Sequence, residues 1–259
     1  MSVNMNGAVT SPWFQYLNPN PRARLRLFCF PYAGKGALIY KAWAARLPAA
    51  IELYPVELPG RGQRFKEPLY TDIGSLVRDL TPAVIPLLDL PFAFFGHSLG
   101  SIVSFELAQR IRREIDREPA HLFVSGRRAP QVIREETHTY NLPDDEFINE
   151  LKRLNGTPRE VLEHPELMQL MMVTLRADFQ ISETYERSNS SPLDCPVTAF
   201  GGLEDDEVPA EHIEAWRQET TGPFKSYMLP GDHFFLHSAE SALLQIISRE
   251  LNRLLSVVA

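Results

Sequence analysis

The sequence predicts an α/β fold, a mostly parallel, doubly wound sheet interrupted by one helical insertion. Three observations carry this reading. Short apolar, β-rich runs alternate with segments whose apolar residues recur at helical spacing, the pattern of strand–helix units. One strand–helix junction is the turn Gly96-His97-Ser98-Leu99-Gly100. The stretch Gln131 to Ser190 breaks the alternation and carries 6 basic against 12 acidic side chains, leaving 20 against 21 elsewhere.

Taken in order, Leu25–Phe30 is the first core strand, followed by a Gly-bearing loop, a helix over Lys41–Leu47 and a strand over Ile51–Leu58. A helix over Ile73–Leu88 leads to the strand Phe92–Phe95, part of an unbroken apolar run beginning at Leu90. Leu99–Glu114 carries Ile102, Phe105, Leu107, Ala108 and Ile111 at helical spacing, with no Gly or Pro after Gly100. After the strand His121–Ser125 comes the acidic stretch, with helices expected at Asp144–Leu154 and across Arg159–Tyr185, broken near Pro165. Asp144 and Asp145 favour a helix start through the dipole. Strands at Pro196–Phe200 and Phe224–Leu229 and helices at Ala210–Glu219 and Ala239–Ser256 complete the alternation.

A chain of 259 residues fits one such domain. It buries roughly three quarters of its unfolded surface, so it needs no disulfide or metal staple. Cys29 and Cys195 lie in separate apolar runs and read as buried thiols of a reducing compartment. No Cys or His spacing suggests a metal site. Met1–Pro21 lacks the charged-then-apolar pattern of a signal peptide. No apolar stretch approaches the roughly 20 residues that span a bilayer. A net charge of −7 argues against a nucleic-acid partner. The expected protein is soluble, cytoplasmic and monomeric, without a membrane partner.

Strand, Gly-x-Ser-x-Gly, helix is the layout of a nucleophile elbow, which points to Ser98 as a nucleophile. The flanking glycines avoid side-chain collisions across the tight turn, and the helix start favours an anion. A serine hydroxyl needs a base, and the base an orienting acid. In the α/β-hydrolase fold these follow in the order Ser, acid, His. Of seven histidines, His233 and His237 follow the last strand. His233, in Pro230-Gly231-Asp232-His233, is the base by position, with His237 the less suitable choice near a helix start. His97 should point away from Ser98. The acid comes from the loop after the preceding strand, where Gly202, Asp205 and Val208 fit Gly-x-x-Asp-x-x-Val and favour Asp205 over Asp206. The Leu99 N–H directly after the nucleophile is one expected oxyanion donor, and the loop Phe30–Gly36 should supply another.

With those residues located, the chain resembles the type II thioesterases of polyketide and non-ribosomal peptide assembly lines over nearly its whole length. Leu27-Phe28-Cys29-Phe30-Pro31-Tyr32-Ala33-Gly34 is similar to the family's first-strand motif, and Leu58-Pro59-Gly60-Arg61-Gly62-Gln63-Arg64 to its Pro-Gly-Arg turn. Phe95 to Gly100 resembles its nucleophile motif, with Leu99 where Met is usual; Lys35 replaces a common second glycine. Val124 to Pro130, Leu175 to Phe179, Asp194 to Val197 and Gly231 to Phe235 resemble further family motifs. The resemblance implies that Ala33 supplies the second oxyanion donor and that residues of about 131–190 form a lid. It also implies removal of stalled or mis-primed acyl groups from acyl or peptidyl carrier proteins. No cofactor is implied beyond the phosphopantetheine that the substrate carries.

Met168, Met171 and Met172 read either as packing within the lid or as an adaptable wall for an acyl chain. Arg61, Arg64 and Lys66, or Arg127 and Arg128, are candidate contacts for an acidic carrier, the alternative being structural ion pairs or solvated charge. Rival functions are a carboxylesterase or lipase, a fatty-acyl thioesterase, and a hydrolase-fold binding protein without turnover.

Overall fold

The computed structural model describes residues 2–3, 9–15, 19–132, 138–157 and 159–257. Residues 133–137 and 158 of the expected insertion, and parts of the Met1–Pro21 segment, lie outside the described residues. Two short strands, β1 (Ser2–Val3) and β2 (Val9–Thr10), pair antiparallel. The main sheet follows: β3 (Leu25–Phe30) and β4 (Ile51–Pro55), then helix α1 (Ile73–Val84), β5 (Phe92–His97), α2 (Leu99–Ile115) and β6 (His121–Ser125). The acidic stretch folds as α3 (Asp144–Arg153), α4 (Arg159–Leu162) and α5 (Pro165–Glu183). The chain then completes β7 (Val197–Gly202), α6 (Ala210–Glu214), β8 (Phe224–Leu229), α7 (Phe235–Ser238) and α8 (Glu240–Val257).

The six strands are all parallel, in the order β4-β3-β5-β6-β7-β8. The connection from β3 leads to one side and that from β5 to the other. Their carboxyl ends therefore flank the point where the strand order reverses, the place where open α/β sheets bind ligands. Alternation of side chains sorts the core into two layers. Leu25, Leu27, Cys29, Ala93 and Phe95 face Tyr40, Trp43 and α8, while Phe28, Phe30, Phe92 and Phe94 face α1 and α2. Both cysteines are buried and unpaired. The insertion has a small core of its own, formed by Phe147, Leu151, Met168, Met172 and Leu175.

Departures from the expected elements have local causes. The segment read as a helix over Lys41–Leu47 is a 3₁₀ helix over Ala37–Ala45, whose buried residues Ala37, Tyr40 and Trp43 recur every third position. The helix expected to run to Leu88 changes to 3₁₀ geometry after Val84, where Pro86 lacks the N–H that an α-helix needs. The helix expected from Ala239 begins at Glu240 and is preceded by the one-turn α7.

Candidate active site

Every predicted site residue stands at the carboxyl edge of the sheet: Ser98 and Leu99 at the β5–α2 junction, and Ala33, Asp205 and His233 on the segments after β3, β7 and β8. β5 passes into α2 at Ser98, whose φ of 52° and ψ of −113° lie outside the regions open to ordinary side chains. The Ser98 N–H donates to the Ser125 carbonyl at 2.7 Å, which anchors the turn to β6. A Cβ at Gly96 would stand 2.1 Å from the Gly100 carbonyl oxygen, and one at Gly100 would stand 2.1 Å from that of Phe30. Backbone occupies both places, so only glycine fits.

One hydrogen-bonded chain joins three of the predicted residues. Ser98 Oγ lies 3.1 Å from His233 Nε2, and His233 Nδ1 lies 2.7 Å from Asp205 Oδ2. An ionised carboxylate only accepts, so Nδ1 carries the ring proton and Nε2 turns its lone pair toward the serine hydroxyl. The Asp205 carboxylate is fully enclosed. Its other oxygen accepts the Glu207 N–H at 2.9 Å and the Val208 N–H at 3.2 Å, which fixes its rotation. Asp206, the alternative acid, is exposed to solvent. His237 is engaged elsewhere, its Nε2 lying 2.9 Å from the Tyr32 hydroxyl.

His97 points away from Ser98, as expected, yet it belongs to the site. Its Nε2 is 3.0 Å from the His233 carbonyl oxygen and its Nδ1 2.8 Å from Ser125 Oγ. The carbonyl only accepts, so Nε2–H donates to it and Nδ1 accepts from the Ser125 hydroxyl. Burial holds the His97 pKa well below its ordinary value, so the ring stays neutral in this role. The elbow pattern carries no signal for this role, because the contact spans 136 positions in the chain.

Ser98 and His233 open onto a cavity of about 120 Å³ bordered by Ala33 and Leu99. Leu99 begins α2, where a backbone N–H has no acceptor within the helix. Leu151, Leu154, Leu175 and Phe179 of the insertion form much of the opposite wall. None of Met168, Met171 and Met172 borders the cavity; two are buried in the insertion's own core and Met171 packs against it, so the acyl-wall reading is corrected.

Two of the basic docking candidates, Arg61 and Arg64, also require correction. Arg61 is buried in an ion pair with Asp178. Arg64 is buried too: it pairs with Glu67, donates to the Glu57 carbonyl at 2.9 Å, and lies 4.0 Å over the Trp13 ring. Arg127 donates to Ser182 Oγ and to the Ser182 carbonyl, and with Arg128 it borders the cavity. Lys66 is exposed, and Arg127 and Arg128 are half-buried. Among the described residues no group of three or more His, Cys, Asp or Glu side chains could hold a metal ion, and no helix is long and apolar enough to cross a membrane.

The family model of the thioesterase domain matches residues 25–251. The chain is 43% identical over 244 residues to gramicidin S biosynthesis protein GrsT of Aneurinibacillus migulanus, covering 94% of this chain and 95% of that protein. It is 46% identical over 244 residues to linear gramicidin dehydrogenase LgrE of Brevibacillus parabrevis, covering 93% of each. Among solved structures it resembles the type II thioesterase BorB from the borrelidin biosynthetic cluster, with a TM-score of 0.85 and 34% identity over 94% of this chain and 100% of that one.

Proposed function

The chain belongs to the thioesterase family and is a thioester hydrolase, and from that premise we propose that it clears stalled or aberrant acyl groups from phosphopantetheinyl carrier proteins of a polyketide or non-ribosomal peptide assembly line. The observation that carries this reading is the Ser98–His233–Asp205 hydrogen-bonded chain, opening onto a cavity that Ala33 and Leu99 border. Relatives named for gramicidin S biosynthesis and the borrelidin cluster support an assembly-line substrate.

The geometry suits two acyl transfers. Ser98 Oγ attacks the thioester carbonyl while its proton passes to His233 Nε2, and the fixed Asp205 carboxylate stabilises the resulting imidazolium. The carbonyl electrons move onto oxygen, where the Ala33 and Leu99 N–H groups stabilise the oxyanion. Its collapse breaks the carbon–sulfur bond, and the sulfur takes the proton from Nε2. A water molecule then gives a proton to Nε2 and attacks the acyl-serine carbonyl; collapse of this second intermediate breaks the bond to Oγ, which takes the proton back from Nε2, releasing the acid and restoring Ser98. These transfers use only the named side chains and amides; the phosphopantetheine belongs to the substrate. In this reading the chain acts as a single α/β-hydrolase domain, and α3–α5 form a lid over the arm's path.

Comparing turnover of an acyl-carrier protein, the matching acyl-CoA and a p-nitrophenyl ester tests the substrate class. The carrier-bound thioester should give the highest kcat/KM. An ester hydrolysed as well as the carrier thioester points to a carboxylesterase, and a steep preference for long chains points to a fatty-acyl thioesterase.

A further inference from the structure

One buried ion pair, outside the proton-transfer chain, ties the insertion to the oxyanion loop. Arg61, in the turn after β4, holds Asp178 of α5 through two contacts, Nη1 to Oδ2 at 2.7 Å and Nη2 to Oδ1 at 2.8 Å. The two side chains are only 9% and 3% exposed. Asp178 Oδ2 also accepts the Gly34 N–H at 2.7 Å, and Arg61 Nη1 donates to the Lys35 carbonyl at 3.1 Å. A fourth Arg61 contact, Nε to the Pro59 carbonyl at 3.1 Å, fixes the guanidinium from behind.

These contacts fall on a β-turn that runs from Tyr32 to Lys35 and is closed by the Lys35 N–H on the Tyr32 carbonyl at 3.1 Å. Gly34 takes a φ of +75° at its third position, as a type II turn demands. Rotation of the central Ala33–Gly34 peptide would convert the turn type and exchange the faces of the Ala33 carbonyl and the Gly34 N–H, next to the Ala33 N–H of the preceding peptide. The Asp178 carboxylate holds that peptide by its N–H, and Arg61 holds the far end of the turn by a carbonyl. Ala33, which borders the cavity beside Ser98, lies between the closing Tyr32 carbonyl and these two restraints.

We propose that Arg61 and Asp178 are positioning residues for the oxyanion hole, so that the Ala33 donor is correctly placed only while α5 is seated on the body. The inference rests on the assignment of Ala33 as an oxyanion donor. A buried charge pair in this place does more than a well-packed apolar pair of similar volume, which often gives equal or greater stability. Its added effect is orientation, and a misplacement of about 1 Å at a reacting group costs on the order of 100-fold in rate.

The test compares wild type with Asp178→Asn and with the double variant Arg61→Met/Asp178→Leu, which removes both charges and leaves neither partner buried alone. Each is assayed with an acyl-CoA thioester, and each is titrated with an alkyl boronic acid, which forms a tetrahedral adduct on the serine, and with a non-hydrolysable thioether analogue. Asp178→Asn and the folded double variant should each lose about 100-fold in kcat with KM within threefold of wild type. Boronate affinity should fall by a similar factor, and thioether affinity should hold. A cooperatively folded double variant that keeps kcat within threefold of wild type overturns the proposal, as does equal weakening of boronate and thioether. A Ser98→Ala variant assayed in parallel separates the two claims: retained turnover there counts against the nucleophile assignment, whereas the variant-to-wild-type ratios report on the Arg61–Asp178 pair.

Discussion

Replacing Asp205 with Asn changes one atom and should remove nearly all activity, for a reason visible in the hydrogen bonds of the loop. Oδ1 accepts two backbone N–H groups, from Glu207 and Val208, while Oδ2 faces His233 Nδ1. An asparagine must keep its oxygen toward the two backbone donors, because its NH₂ cannot accept from them. The NH₂ then faces His233 and donates to Nδ1, which moves the ring proton to Nε2. In that tautomer the ring cannot take the Ser98 proton. A serine-protease triad with the corresponding change loses about 10⁴ in kcat, or about 5.5 kcal/mol of barrier. The same loss is expected here, with KM little changed and the melting temperature near that of wild type. The assay is thiol release from an acyl-CoA at pH 7.5, normalised to folded protein by circular dichroism. Asp206→Asn, on an exposed side chain, should stay within threefold of wild type. Equal losses in the two variants, or more than a tenth of the activity left in Asp205→Asn, would refute the assigned geometry.

Ser98→Ala and His233→Ala should each lose about 10⁴ to 10⁶ in kcat while folding normally, since groups acting as a unit fail together; substantial turnover by either purified variant counts against the assignment. Hydrogen exchange should divide the insertion. The Arg153–Glu207 pair that fastens α3 is half exposed on the arginine side and contributes about 0–1 kcal/mol, so α3 and α4 should exchange through low-energy openings. The end of α5, held by the enclosed Arg61–Asp178 pair, should exchange almost as slowly as the central strands; uniform protection across residues 138–183 would contradict this. Burial lowers the His121 pKa from 6.5 to about 4. Between those values the unfolded chain binds a proton that the folded chain does not, so stability falls with pH, by about 3 kcal/mol at pH 4. Urea unfolding at pH 7 and pH 4 should show that decline in wild type and a decline smaller by most of that amount in His121→Gln; identical declines would refute it.

What the sequence made legible was what short spans determine. The elbow is specified within five residues, because its glycines, strand and helix are all local, and the α/β-hydrolase pattern Gly-x-x-Asp-x-x-Val favoured Asp205 over its neighbour. Contacts between distant segments were not legible. Arg61 read as a candidate docking cation because Asp178, which neutralises it, is 117 positions away. Arg64 misled for a related reason: its charge is met by Glu67 close by, but its burial depends on Trp13 in the N-terminal segment. His97 was placed correctly in direction, yet its bond to the His233 carbonyl depends on how the turn after β8 reaches back along the carboxyl edge of the sheet to the end of β5. The 3₁₀ helix at Ala37–Ala45 was misread because its buried positions repeat every three residues, a period that a search at 3.6 does not separate from an α-helix.

The measurement that tests the central claim most directly is a titration with a fluorophosphonate, followed by peptide mass mapping and by turnover of an acyl-carrier protein in the same samples. Carrier turnover should fall linearly to zero as labelling reaches one group per chain, with the label on the peptide that contains Ser98. Undiminished turnover by chains fully labelled at Ser98 would contradict the account.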